Sequence, residues 1–339
     1  MTGPTRRTVA LGIGALLAGT ALPRPLRAAP AFAAPARIGS AVEAGGSVFG
    51  TYWRVLAAGS ASLSHGSLHD LATEAFEVID RAMSPFLMSS ELSRINRSDD
   101  SGPIALGAEL CTVTAAALRV AAASKGAFDP TVGPMVARAG FGPIHGGGAP
   151  DWTGLALTLD GLIRNRADLT LDLCGIAKGR AIDRLGQRLA ALGVRDWLID
   201  LGGELRVSGR HPAGRDWRTA ITRPFGSEGE AIAALWLRDQ AIATSGVGEQ
   251  SYRLADGSRG SHLIDPATGD PIRSGLLSVS VIAPTAMEAD AWATALAVMG
   301  PDTGAAFAQG RDLSACFLRD TTEGPSVRMT GGFAAHLLA

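Results

Sequence analysis

The sequence predicts an α+β (mixed α/β) domain, and three observations carry that reading. Long runs with apolar residues three and four apart fall mostly in the first half, at residues 68–83 and 106–124. Short β-branched or alternating runs fall mostly in the second half, at 197–207, 217–221, 231–237 and 277–282. Helical spacing returns at 180–192 and again from Ala289, so helices are interleaved with strands rather than segregated. The chain has 339 residues, 46% of them hydrophobic, which is enough for a sizeable core. A formal net charge of −1 gives no sign of a nucleic-acid or membrane-surface partner.

The chain starts with Arg6-Arg7, an apolar run over 11–22 and a Pro/Ala-rich exit containing Ala31-Phe32-Ala33. These are the parts of a twin-arginine signal peptide over 1–33, too short to span a membrane and broken by Pro23, Pro25 and Pro30. The expectation is a domain over 34–339, exported to the periplasm. No cysteine lies near the cleavage region, so no lipid anchor is expected. Cys111, Cys174 and Cys316 are too few and too scattered for a zinc site or a disulfide framework. Cys174 lies beside glycines, where a reactive thiol is conceivable, but a buried inert thiol is the better reading.

Residues 47–55 look like an opening strand. The helix over 68–83 stops at Ser84-Pro85-Phe86, and Ser89 to Asn96 reads as a short capped helix with an Asn stop. The helix over 106–124 runs out at Lys125-Gly126. Beyond it, Pro130 and Pro134 should hold Ala127-Phe128-Asp129-Pro130-Thr131-Val132-Gly133-Pro134 extended. There Phe128 can stack on a planar ligand and Asp129 can bond its edge, or the segment is only a turn. Residues 157–160 and 169–173 look like paired strands entering a small-residue turn, Cys174-Gly175-Ile176-Ala177-Lys178-Gly179, before the helix at 180–192. Strand, small turn and helix let backbone N–H groups approach a phosphate, although the glycine spacing matches neither a Walker A loop nor GxGxxG. Gly202-Gly203 breaks the strand at 197–207, which marks a bulge or a close approach.

The stretch 241–294 carries the most chemistry. Ala241-Ile242-Ala243-Thr244-Ser245-Gly246 and His262-Leu263-Ile264-Asp265-Pro266-Ala267-Thr268-Gly269 read as loops. Ala289-Asp290-Ala291-Trp292-Ala293-Thr294 reads as a helix start, with Asp290 and Thr294 on one face. A carboxylate and a hydroxyl so placed suit a hard cation such as Mg²⁺. Alternatively, Asp290 caps the helix and Thr294 points into a core of alanines.

Taken in order over roughly residues 49–300, these pieces resemble the ApbE-type FAD:protein FMN transferases. The motifs are Met83-Ser84-Pro85-Phe86 with Ser90 to Asn96, Ala127-Phe128-Asp129, Asp172 to Gly179, and Leu201-Gly202-Gly203. Thr244-Ser245-Gly246, His262 to Pro266 and Ala289 to Thr294 complete the series. The resemblance implies an ApbE-like fold of mixed β-sheets flanked by helices. It implies transfer of FMN from FAD to a Thr or Ser hydroxyl of an acceptor flavoprotein, with release of AMP. By position, Asp290, Thr294 and the carbonyl of Gly175 would hold Mg²⁺. Phe49, Phe86, Ala127, Phe128, Asp129, Asp172, Lys178 and Ile264 would contact FAD, and His262 would serve as general base. Cys174 departs from the family's usual Gly, Phe86 from a common Tyr, and Val247 to Tyr252 from its aspartate-tyrosine pattern. Twin-arginine export without a lipid anchor resembles the NosX-like branch, which implies a NosR-like membrane protein as acceptor. The competing readings are a Mg²⁺-dependent FAD pyrophosphatase and a non-catalytic FAD-binding or carrier protein.

Overall fold

The computed structural model describes residues 41–58, 63–100, 102–224, 231–248, 251–253, 259–322 and 324–338. The expected signal peptide and its cleavage region lie outside the described residues. In chain order the elements begin with strands β1 (Val42–Val48) and β2 (Thr51–Ala58), then helices α1 (His65–Met83), α2 (Glu91–Asn96), α3 (Ala108–Ser124) and α4 (Gly133–Arg138). Next come β3 (Leu155–Thr158), β4 (Gly161–Arg164), α5 (Cys174–Ala191), β5 (Asp196–Leu201), β6 (Glu204–Ser208), β7 (Trp217–Thr222) and β8 (Ala231–Leu237). The remainder are β9 (Ala241–Gly246), β10 (Ser251–Arg253), β11 (Arg259–Ser261), β12 (Leu276–Ala283), α6 (Ala286–Met299), α7 (Pro301–Gly310), β13 (Ser314–Thr321) and β14 (Gly324–Thr330).

Eight strands form one antiparallel sheet in the order β1-β2-β5-β6-β9-β12-β13-β14. Successive side chains on a strand point to opposite faces, and both faces of this sheet are covered. Val55, Ala57, Ile199, Ala243, Val281 and Phe317 pack into the main core with α1, α3, α5 and α6. Their neighbours Leu56, Leu198, Ile242, Ile282 and Cys316 pack on the other side against Trp217, Leu235 and Leu237 of the β7–β8 hairpin and against Phe333. The α+β expectation is met by this arrangement of helices on one face and a hairpin on the other.

Several local expectations give way. The opening strand is a hairpin: Phe49 and Gly50 turn between β1 and β2 with φ of 52° and 73°. Gly202 and Gly203, with φ of 65° and 102°, likewise turn β5 into β6 rather than mark a bulge; two successive positive φ values suit the right-handed twist of the strands they join. Pro134 is not extended but sits in the first turn of α4, where its missing N–H costs nothing. Residues 241–246 are not a loop but β9, paired to β12 along its length.

Residues 169–173 form no strand; the strand pair is β3 with β4. Leu169, Leu171 and Leu173 are buried, and so is Thr170 between the first two. The edge that a neighbouring strand would satisfy is met instead by one side chain. Asn96 donates its amide to the Leu171 carbonyl at 2.8 Å and accepts the Leu171 N–H at 2.7 Å. Cys174-Gly175-Ile176-Ala177-Lys178-Gly179 is no turn either, since α5 starts at Cys174. Its glycines weaken the helix but are needed for contact: a Cβ on Gly179 would lie 2.3 Å from the Ala286 carbonyl oxygen.

That contact seats α6 on α5. The first turn of α6 is capped by the Thr285 hydroxyl, which accepts from the Glu288 N–H at 3.2 Å. A second acceptor comes from another helix: Asp183 of α5 receives the N–H groups of Ala286 at 2.9 Å and Met287 at 3.0 Å. Asp183 is itself buried and ion-paired to Arg206 of β6. A carboxylate at a helix N-terminus satisfies orphan donors and complements the helix dipole. Asp183→Ala would leave a buried and a part-buried N–H group and a guanidinium unpaired, so we expect a loss of about 2–4 kcal/mol in urea denaturation. Asp183→Asn, keeping one acceptor oxygen, should lose less. Unchanged stability of the Ala variant would show that α6 is seated by packing alone.

Candidate active site

The start of α5, the second turn of α6 and the end of β9 converge on one spot. Asp290 lies one turn inside α6 and is 4% exposed. Since Thr285 holds the cap position, the capping reading of Asp290 does not hold. Its Oδ2 accepts the N–H of Gly179 at 3.0 Å. In a regular helix that N–H belongs to the Gly175 carbonyl four residues back, so Asp290 competes for the donor that would otherwise satisfy Gly175. Thr294, one turn on, does not point into alanines alone: its Oγ1 is 3.3 Å from Ser245 Oγ. A Cβ on Gly175 would sit 2.9 Å from Thr294 Oγ1 and 3.3 Å from the Phe128 ring. Gly175 of α5 therefore meets Asp290 and Thr294, one turn apart on α6.

Lys178, on the same face of α5, is ion-paired to Glu204 just after the Gly202-Gly203 turn. Glu204 is buried, and its Oε2 has no hydrogen-bond partner among the described residues. Burial pushes the Glu204 carboxyl above its ordinary range; Lys178 opposes the shift and Asp290 adds to it. Asp290 is raised by the same burial, against the pull of Lys178 and of the Gly179 N–H. Two buried carboxylates thus face one ammonium, and the spot is short of positive charge. With an oxygen-only donor set of carboxylate, hydroxyl and carbonyl, these residues fit a hard divalent cation.

Phe128 and Asp129 adjoin this cluster. Phe128 is 4% exposed and packs beside Gly175 rather than standing open. Asp129 Oδ1 accepts the Thr131 N–H at 2.8 Å and its hydroxyl at 2.6 Å, while burial raises its pKa. Ala127 precedes them, half-buried. Asp172 donates its N–H to the Pro130 carbonyl at 2.7 Å and accepts the Cys174 N–H at 2.9 Å, tying this turn to the start of α5. Cys174 is exposed, not buried. Desolvation by the surrounding protein, with the Asp172 carboxylate beside it, pushes its thiol pKa well up.

The other expected residues stand on separate loops. Phe49 occupies the β1–β2 turn, its ring 6.4 Å from Phe76. Phe86 is 68% exposed, beside the equally open Met88. Ile264 is buried and bridges to Pro271. His262 is half-buried, with Phe141 edge-on at 6.1 Å. Helix α4 links its loop to the cluster: Met135 touches the Gly269 turn at one side, while Gly133 lies against Asp172 at the other. A hollow of about 190 Å³ between α3 and α6 is lined by Ile176, Met287 and Trp292, but by neither Asp290 nor Thr294. The sequence reading missed Asp183, Glu204 and Ser245 as parts of the site. Glu204 follows a Gly-Gly turn in a motif already singled out; Asp183 looks like any polar residue on a helix.

A model of the ApbE family matches residues 49–317. A FAD:protein FMN transferase from Klebsiella pneumoniae is 32% identical over 323 residues, covering 90% of this chain and 91% of that one. One from Vibrio cholerae is 36% identical over 264 residues, covering 73% and 78%. Among solved structures, the flavin transferase ApbE from Vibrio cholerae superposes with a TM-score of 0.79 at 30% identity, over 88% of this chain and 99% of that one. The apo flavinyl transferase ApbE of Pseudomonas stutzeri gives 0.80 at 30% identity, over 88% and 97%. Motif order, sheet topology and these matches agree: the chain belongs to the ApbE family.

Proposed function

We propose that this chain transfers FMN from FAD to a Thr or Ser hydroxyl of an acceptor flavoprotein, releasing AMP, with Mg²⁺ at the Asp290 cluster. The observation that carries the proposal is the meeting of Gly175, Asp290 and Thr294 in a buried place short of positive charge. Asp290, Thr294 and the Gly175 carbonyl would hold the cation, which supplies neutralisation of the pyrophosphate and of the charge on the leaving phosphate.

The acceptor oxygen forms a bond to the phosphorus of the FMN half as the bridging P–O bond breaks, and the electrons of that bond leave with AMP. Lys178, already held by Glu204, places an ammonium beside the pyrophosphate. Phe49 and Phe86 offer aromatic faces to the flavin, and Asp129 and Asp172 offer carboxylates to its polar edges, with Ala127, Phe128 and Ile264 completing the wall. His262 takes the proton of the acceptor hydroxyl, on a loop that keeps its ring half-exposed.

The periplasm as the place of action rests on Arg6-Arg7 and the apolar run after it, and a NosR-like acceptor on the resemblance to the NosX-like branch. No helix of the described residues is long and apolar enough to cross a membrane.

Two substitutions test the assignment, using FAD, Mg²⁺ and an acceptor domain, with covalent flavin read by in-gel fluorescence and AMP by chromatography. Asp290→Ala should lower the rate by roughly a thousandfold, the scale of several kcal/mol of charge stabilisation; a near-normal rate refutes the cation-holding role. For His262→Gln, kcat should fall about 10²–10⁴-fold with little change in FAD affinity. A fall confined to affinity would make His262 a binding residue. In the wild type, FMN and AMP without labelled acceptor would favour the pyrophosphatase or mean the wrong acceptor, and unchanged bound FAD would leave the carrier.

A further inference from the structure

Away from the Asp290 cluster, the first turn of α1 carries a pair of histidines that the proposed reaction does not use. His65 and His69 are four apart, so they share one face of the helix. Of the six histidines in the chain, no other two have this spacing. Their ring centroids are 6.4 Å apart, with the planes inclined by 32°. Metal–nitrogen bonds of about 2.0–2.1 Å put two imidazole centroids on one tetrahedral cation about 5 Å apart. His65 is exposed and the His69 side chain is 43% exposed, so small side-chain rotations suffice to close the difference.

The second observation concerns the inner nitrogens. His65 Nδ1 lies 2.7 Å from the Glu43 carbonyl oxygen on β1. His69 Nδ1 lies 3.6 Å from Asp70 Oδ1, beyond hydrogen-bond range. An oxygen acceptor beside Nδ1 draws the ring proton there and leaves Nε2 as the lone-pair nitrogen, the arrangement found behind metal-bound histidines. Here the His65 ring has such an acceptor. The His69 ring also leans on Trp53, centroids 5.4 Å apart. Glu43 has its carboxylate engaged by Arg54, so its carbonyl is the group that faces His65.

We propose that His65 and His69 form a two-histidine site for a borderline divalent transition cation such as Ni²⁺, Zn²⁺ or Cu²⁺. Imidazole pairs select this class over Mg²⁺. Among the described residues no three His, Cys, Asp or Glu side chains converge as a ready-made cage, so the two Nε2 atoms bind together with water. The bound cation ties the first turn of α1 to itself and, through the Glu43 carbonyl, to β1. It sits at one end of a run of rings, from His69 to Trp53 to Phe76 to Phe49, whose steps are 5.4, 5.6 and 6.4 Å. The site is thereby connected to the β1–β2 turn without sharing a residue with the Mg²⁺ cluster.

The test is calorimetric titration of Ni²⁺ into the mature full-length protein in saturating Mg²⁺, comparing wild type, His65→Gln, His69→Gln and Asp290→Ala. Both histidines lie on the surface, where such substitutions leave the fold intact. One Ni²⁺ equivalent should bind wild type and Asp290→Ala alike, weaken at least about tenfold in each histidine variant, and raise the melting temperature only where both histidines are present. Equal binding in either histidine variant, or loss of the equivalent in Asp290→Ala, overturns the proposal.

Discussion

The closeness of α5 to α6 is the constraint on which the rest of the structure depends. The two helices touch backbone to backbone where Gly179 meets the Ala286 carbonyl, an approach only glycine permits. Asp183 fixes the same junction from the side by holding the first N–H groups of α6. Helix α6 is buried on opposite sides by small residues, Ala289, Ala293 and Ala297 on one and Ala291 and Ala295 on the other, so the helix can lie close to the sheet and to α5 together. The junction in turn aims Asp290 at the first turn of α5. Had either helix carried larger residues here, Gly175 and Thr294 could not meet.

Charge follows from this geometry. Bringing Asp290 beside Glu204 in a dry place costs free energy that Lys178 alone does not offset, and both carboxyls are pushed toward protonation. Proteins keep such arrangements where another charge arrives with function. A divalent cation over Asp290 would offset the excess negative charge and, with Lys178, leave positive charge for a pyrophosphate, so the same spot serves stability poorly and phosphoryl chemistry well. Asp183, equally buried, has its own arginine in Arg206 and belongs to the scaffold.

Much of this was legible in the sequence. The Asp290 and Thr294 spacing gave one helix face, and α1, α2 and α3 emerged nearly at their observed bounds because their apolar residues recur at helical intervals. What misled is equally specific. Thr244-Ser245-Gly246 has turn-forming composition but pairs in mid-sheet, because tertiary pairing overrides local preference. Glycines at 175 and 179 imitate a loop, yet they serve interhelical contact. Residues 169–173 imitate a strand by their alternating leucines, while the partner is one asparagine 75 residues earlier. Cys174, expected as a buried inert thiol, stands exposed at the start of α5. Asp183 carries no local signal, since its partners come from another helix.

The most direct test of the central claim is a crystal structure of the mature protein grown with FAD and Mg²⁺. The account predicts a cation in contact with Asp290 and Thr294, and the FAD pyrophosphate between it and Lys178. A cation bound elsewhere, or a pyrophosphate lying away from the start of α5, would contradict it.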